Sequence, residues 1–406
     1  MRGDMTTTEG QGPLAGLRVI EMGQLLAGPF CGQMMADFGA EVIKIEPPGT
    51  GDPMRQWGSE KGHGKSLWWP VVARNKKSVT LDLRTEAGQR IVRDLAREAD
   101  VVLENFRPGT MERWGLGYER LSEINPRLVM VRVTGYGQTG PYAKRAGYGS
   151  IGEAMGGLRY VVGDPSAQPS RMGISIGDEL AALHACLGAM FAIHARGRTG
   201  RGQVVDSAIY EAVLNMMESL VTEYDVAGYV RERSGSILPN IAPSNVYGTK
   251  DGKLLLIAAN QDTVFRRLAA AMGRPELAED ERYATHGARG ARQEELDALI
   301  EAWTQTKPLG EVQALMEEHG VPSGLIYRAE DMMADPHFAA REALVKVAHP
   351  EFGEMTMQNV APRLSETPGR VRHVGPALGE HTDEVLGGLL GLSEDRRAAL
   401  RADGVI

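Results

Sequence analysis

Short aliphatic, β-branched runs alternate with amphipathic stretches through the first third of this chain. LRVIEM (17–22), EVIKIE (41–46), SVTLDL (78–83), VVLENF (101–106) and LVMVRVTG (128–135) have the composition of buried strands. GPFCGQMMADFG (28–39) and residues 85–99 carry helical spacing between them. Strand and helix in strict alternation predict an α/β fold with a doubly wound, Rossmann-like parallel sheet. In such a sheet, ligands bind beyond the carboxyl ends of the strands.

The pattern changes further along. Residues 181–229 are mostly helical, interrupted by the polar, glycine-rich RGRTGRGQVVDS at 196–207. Residues 233–253 are rich in Gly, Pro, Ser and Asn and are expected to link two domains. LLLIAA (254–259) opens a smaller α+β region running to about 327, and HTDEVLGGLLGLS (381–393) predicts a packing helix near the end.

A length of 406 residues supports two domains rather than one core. The formal net charge of −8 gives no electrostatic reason to bind nucleic acid or an anionic membrane, and no apolar run looks long enough to span a bilayer. The first dozen residues have no signal-peptide core and are expected to form a disordered leader. The two cysteines, Cys31 and Cys186, sit in apolar helical patterns and are expected to stay as thiols in the cytoplasm.

Motif chemistry removes several classes. GQLLAG (23–28) begins like a P-loop, but Pro29-Phe30 stands where Lys and Ser/Thr are needed. No GxGxxG follows the first strand, so NAD and ATP are not expected. The histidines form no metal-binding pair: His184 and His194 are ten residues apart on one helix, too far to share an ion, so no metal is expected. No GxSxG elbow surrounds a serine, and Ser175 lies on an apparent strand.

What remains is GISIGDELAALHACLGAMFAIHA (173–195), in which an apolar run stops at Gly177-Asp178 and a helical segment begins. That places Asp178 at the mouth of a strand-to-helix turn. Two readings are open: an N-cap that does nothing more, or a carboxylate kept ionised by the helix N-terminus and able to act as a nucleophile. At the strand ends, Phe106 is placed to pack on an adenine while Arg107 and Arg84 face phosphates, although lone surface arginines are more often simply solvated.

The same segments resemble the family III CoA-transferases. The pieces are PLAGLRVIEMGQLLAGP (13–29), FGAEVIKIEPPGTGDPMR (38–55), NKKSVTLDLRTEAG (75–88) and the run from ENFRPG to RAGY (104–148), followed by RTGRGQVVDSAIYEAV (198–213) and GPALGEHTDEVL (375–386). The resemblance implies coenzyme A or acyl-CoA as substrate, with no resident cofactor, and small carboxylic acids as partners. It implies Asp178 as the catalytic residue, and contacts to CoA from Leu26, Ala27, Leu81, Arg84, Asn105, Phe106, Arg107, Arg113, Arg145 and Tyr148. Formyl-CoA transferases of the family can carry Arg after KIE where this chain has Pro47, which makes Lys76 and Lys77 candidates for the adenosine-side cation. It also implies a large domain over 13–232 completed by 328–406, a small domain over 254–327, and a homodimer of interlocked rings. Tyr148 stands where the α-methylacyl-CoA racemases of this fold carry a His base, which favours acyl transfer over racemisation or a non-catalytic acyl-CoA binder. IAANQD (257–262) replaces the glycine-rich loop of the oxalate enzymes. Arg145, Arg159 and Arg171 are candidates for a second substrate carboxylate, hence an expected dicarboxylate donor such as succinyl-CoA.

Overall fold

The computed structural model describes residues 12–406; the expected leader at 1–12 lies, but for Gly12, outside the described residues. Five strands form where the sequence predicts them: β1 (Arg18–Glu21), β2 (Glu41–Glu46), β3 (Lys76–Thr80), β4 (Val101–Glu104) and β5 (Val129–Thr134). A sixth, β6 (Val204–Ala208), lies in the segment expected to be an interruption. All pair in parallel in the order β3-β2-β1-β4-β5-β6, so the order reverses between β1 and β4. That is the Rossmann order, and its switch point lies at the carboxyl ends of β1 and β4.

Burial explains the strands. Val19, Ile20, Ile43, Val79, Val101, Val102, Leu103 and Val129–Val131 are solvent-free, as a sheet covered on both faces requires. Helix α1 (Ala27–Asp37) follows β1, and α2 (Glu86–Arg97) follows β3, its start capped by Thr85 accepting from the Gly88 N–H. Between β5 and β6 come α3 (Gly149–Met155) and the 24-residue α4 (Ile176–Thr199). Ser207 Oγ ties β6 to α4 by donating to the Ala181 carbonyl.

The expected strand before Asp178 does not form. Helix α4 begins at Ile176 after Ser175, so Asp178 is the third residue of its first turn rather than its N-cap, and Ser175 is not on a strand. The reason is contact, since Gly177 approaches Gly149: a Cβ there would stand 2.8 Å from the Gly149 carbonyl oxygen. By length and composition α4 is also apolar enough to cross a membrane, contrary to the expectation that no such run exists, and 33% of its apolar window is buried.

The chain divides into two compact units. Among the described residues, the first comprises 12–158, 172–219 and 337–406, and the second 159–171 and 220–336. In the first, Val385, Leu386, Leu400 and Val405 share one core with Ile20, Ile43, Val79 and Val102, so the C-terminal segment completes the sheet's hydrophobic packing. The expected packing helix is there, as a π-helical stretch at Glu384–Leu389. The second unit has its own core around Tyr247, Leu255, Phe265, Leu268 and Ile300. Its three-stranded antiparallel sheet includes Ser244–Gly248, so the expected linker at 233–253 holds a paired strand.

Candidate active site

The turn after β1 is held by buried side chains from elsewhere in the sheet. Lys44 Nζ donates to the Gly23 carbonyl at 2.8 Å. Asn105, the residue after β4, takes both backbone groups of Gln24: its Oδ1 accepts from Gln24 N–H at 2.8 Å and its Nδ2 donates to the Gln24 carbonyl at 2.8 Å. Asp52 accepts from Leu25 N–H at 3.1 Å, and Leu25 sits at φ 63°, a left-handed conformation that a branched side chain adopts only under such constraint.

Beneath this turn lies a buried charge network. Lys44 Nζ reaches Glu21 at 2.9 Å and Asp52 at 2.8 Å, and Lys76 Nζ reaches Glu21 at 2.9 Å. Burial alone would lower the Lys44 ammonium, but Glu21, Asp52 and Glu46 outweigh it and hold it well above its usual range. Glu46 in turn binds Arg55 and the Ser78 hydroxyl.

The network corrects one sequence expectation. Lys76 is solvent-free within it, and Lys77 bridges Glu41 and Glu384 at 2.7 Å each, so neither is placed to receive a ligand phosphate. Arg74 of the same cationic run forks onto Asp37 in the interior.

Beyond the β1 and β4 ends opens a cavity of about 210 Å³. Of the predicted site residues it brings together Leu26, Ala27, Asn105, Phe106, Arg107, Tyr148 and Asp178. Arg107 is the one cation among the described residues that line it. Phe106 has its ring edge-on to Trp114, 5.2 Å between centroids. Tyr148, at the entrance to α3, is 67% exposed.

Four predicted contacts lie outside this cavity. Leu81 is buried in the core at 1% exposure, so its side chain faces the protein interior. Arg84 is bound to Asp82 at 2.9 Å, and Arg113 donates to the Thr110 hydroxyl at 2.9 Å. The Arg145 guanidinium stacks on the Tyr142 ring at 3.6 Å. Arg159 and Arg171 belong to the second unit, as do Asn260 and Gln261, where the Asn260 carbonyl accepts from buried Arg289.

Glycines make the cavity's floor possible. Gly135 and Gly147 meet backbone to backbone, a Cβ on Gly135 falling 2.8 Å from the Gly147 Cα. Gly149 lies against the Asp178 carboxylate: a Cβ there would stand 2.7 Å from Cγ and 3.0 Å from Oδ1. Asp178 is thus pressed between the first turns of α3 and α4.

Sequence reasoning missed Gln24 and Trp57, which also line the cavity. Gln24 follows the first strand at the switch point, a position that by itself marks a ligand-facing residue. Trp57 comes from the long loop after β2, and nothing local in the sequence distinguishes it.

A Rossmann-type sheet with a carboxylate, an arginine and an aromatic at its switch point is an arrangement at which α/β proteins bind ligands. The chain belongs to CoA-transferase family III, whose model matches residues 14–382. It is 60% identical over 394 residues to a succinyl-CoA–D-citramalate CoA-transferase of Chloroflexus aurantiacus, covering 97% of this chain and 98% of that one. The beta subunit of the same organism's succinyl-CoA–L-malate CoA-transferase is 43% identical over 97% of this chain and 98% of its own. A crystal structure of a CAIB/BAIF family protein from Brucella suis superposes with a TM-score of 0.83 at 36% identity, covering 93% of this chain and 100% of that one. The expectation of a family III CoA-transferase therefore holds, and CoA thioesters are its substrates.

Proposed function

We propose that this enzyme moves CoA from succinyl-CoA to a branched hydroxy-dicarboxylic acid of the citramalate type, with Asp178 as nucleophile. The observation that carries the mechanism is the placement of the Asp178 carboxylate in the switch-point cavity, against the Gly149 backbone and in company with Phe106 and Arg107. The choice of acids is supported by the 60% identity to the D-citramalate enzyme.

The ionised carboxylate attacks the succinyl thioester carbonyl, forming a mixed anhydride and releasing CoA thiolate. The thiolate then attacks the Asp178 acyl carbon, giving an aspartyl-CoA thioester and free succinate. The acceptor carboxylate attacks that thioester, and the thiolate released attacks the acceptor's acyl carbon, which regenerates Asp178. Thioester energy is kept through all four steps provided water is excluded. Arg107 supplies the charge for one anionic group of the bound substrate.

A homodimer, interlocked as in the family resemblance, is part of the same reading. It is supported by Leu183, Leu187 and Phe191, a stripe on α4 that is 43%, 54% and 68% exposed. Such a stripe is covered by a second copy rather than left to water, and light scattering that returns a monomer would refute the assembly. The two thiols fit a reducing cytoplasm.

The deciding experiment is a matrix of acyl-CoA donors against free acids, read by liquid chromatography and mass spectrometry. Succinyl-CoA with citramalate is expected to lead, and hydroxylamine is expected to trap an adduct on the Asp178 peptide. Full exchange by Asp178→Ala would sink the mechanism, and racemisation of a 2-methylacyl-CoA without exchange would replace it by proton transfer.

A further inference from the structure

We infer that Gln24 is a catalytic hydrogen-bond donor, its side-chain amide N–H stabilising the substrate acyl oxygen in the tetrahedral intermediates formed at the donor's and the acceptor's acyl carbon. The inference rests on the Asp178 mechanism above and adds to it the group that receives the developing charge. When Asp178 attacks the thioester, the carbonyl electron pair moves onto the acyl oxygen. It returns as the C–S bond breaks and thiolate leaves. The last step, thiolate attack on the acceptor's acyl carbon, builds the same charge at the same kind of oxygen, so one well-placed donor serves both; in the two middle steps the charge develops on the Asp178 acyl oxygen instead.

The cavity narrows the choice of donor. Arg107 is a cation, suited to a group that stays anionic throughout. The Asn105 amide is occupied at both ends by the Gln24 backbone. The Thr134 hydroxyl is buried at the end of β5, with 7% of the residue exposed, while Tyr148 and Trp57 are the more exposed side chains of the rim. Gln24 differs from all of these. Its backbone N–H and carbonyl are both taken by Asn105, so the amide is the group it presents, and among the described residues that amide has no hydrogen-bond partner.

Its mounting is also rigid. Gly23 is held by buried Lys44 on one side and Leu25 by buried Asp52 on the other, so with Gln24 on Asn105 three consecutive residues are tied to side chains from distant parts of the chain. A donor fixed in this way needs no reorganisation when charge develops. Being neutral, it favours the transient oxyanion without trapping the carboxylate products as an ammonium or guanidinium would.

Asn105 grips only the backbone, so truncating the side chain leaves the turn in place. Gln24→Ala is expected to lower kcat by about 10²- to 10³-fold, with KM for succinyl-CoA within about threefold and an unchanged melting temperature. Gln24→Glu gives a readout that a structural role would not move. As a carboxylate it opposes the oxyanion, and when protonated it donates, so its activity relative to wild type should rise as pH falls toward the usual glutamate pKa of about 4.3. Hydroxylamine trapping on the wild type runs alongside. An Asp178 adduct in the wild type together with near-normal kcat in Gln24→Ala overturns the donor role alone, as does a Gln24→Glu/wild-type ratio flat with pH. A wild type that exchanges CoA without any Asp178 adduct overturns the nucleophile and this role with it.

Discussion

Gly149→Ala tests whether Asp178 must stand where the fold holds it. Gly149 is the first residue of α3 and has an ordinary negative φ, so its backbone accepts alanine without strain. Helix propensity even favours the change, by up to about 1 kcal/mol. The cost falls on the carboxylate instead. A Cβ at this position stands 2.7 Å from Asp178 Cγ, whereas carbon atoms in contact prefer about 3.5–4.0 Å, so the carboxylate must retreat by roughly 1 Å.

A displacement of about 1 Å from a near-attack position is worth on the order of 10²-fold in rate. We therefore expect Gly149→Ala to fold with an unchanged or slightly higher melting temperature and to lose about 10²-fold in exchange rate. The assay is CoA exchange between succinyl-CoA and a free acid, with hydroxylamine trapping at the Asp178 peptide as a second reading. Retention of half the wild-type rate together with normal trapping would refute the argument, because it would show that the Gly149 contact does not set the nucleophile's position. Lost activity with lost stability would place the effect in the fold instead.

Two further substitutions probe the charges under the site. Lys44→Met leaves Glu21 and Asp52 short of a partner in the interior and releases the Gly23 carbonyl, so a loss of about 3–5 kcal/mol is expected in urea unfolding; a loss under about 1 kcal/mol would contradict the network's role. Glu104, at the end of β4, is pushed up to about 7 by burial, which outweighs the lowering by Arg132 and by the Phe106 N–H. Its folded pKa exceeds its unfolded one, so its contribution to stability is complete below about 4.5 and is lost as pH rises through about 7, amounting to no more than about 3 kcal/mol. Glu104→Gln should flatten that part of the stability–pH curve in urea titrations, and an unaltered slope would refute the assignment.

What the sequence shows and what it hides divide along the range of the interactions involved. β1 to β5 are legible because each is a continuous aliphatic run with both faces covered, and the run itself reports that environment. β6 is hidden because it is an edge strand: Val204 is 38% exposed, only Ser207 and Ala208 are buried, and its context of Arg and Gly reads as a turn. The GISIG segment misleads in the opposite direction. Its two isoleucines have strand character, yet Gly177 is needed for close approach to α3, and that tertiary contact starts the helix at Ile176. Asp178 nonetheless stands out in the sequence, because a carboxylate before a long apolar helix is a local signal and the resemblance on both sides of it implies a role. The lysines mislead for want of a partner visible nearby: Lys76 looks like a free cation until the fold brings Glu21, 55 positions away, to its ammonium. Gln24 is the sharpest case. Its place after β1 marks it as ligand-facing, but nothing in GQLLAG shows that its backbone is held, because the residue that grips it is Asn105, 81 positions along the chain.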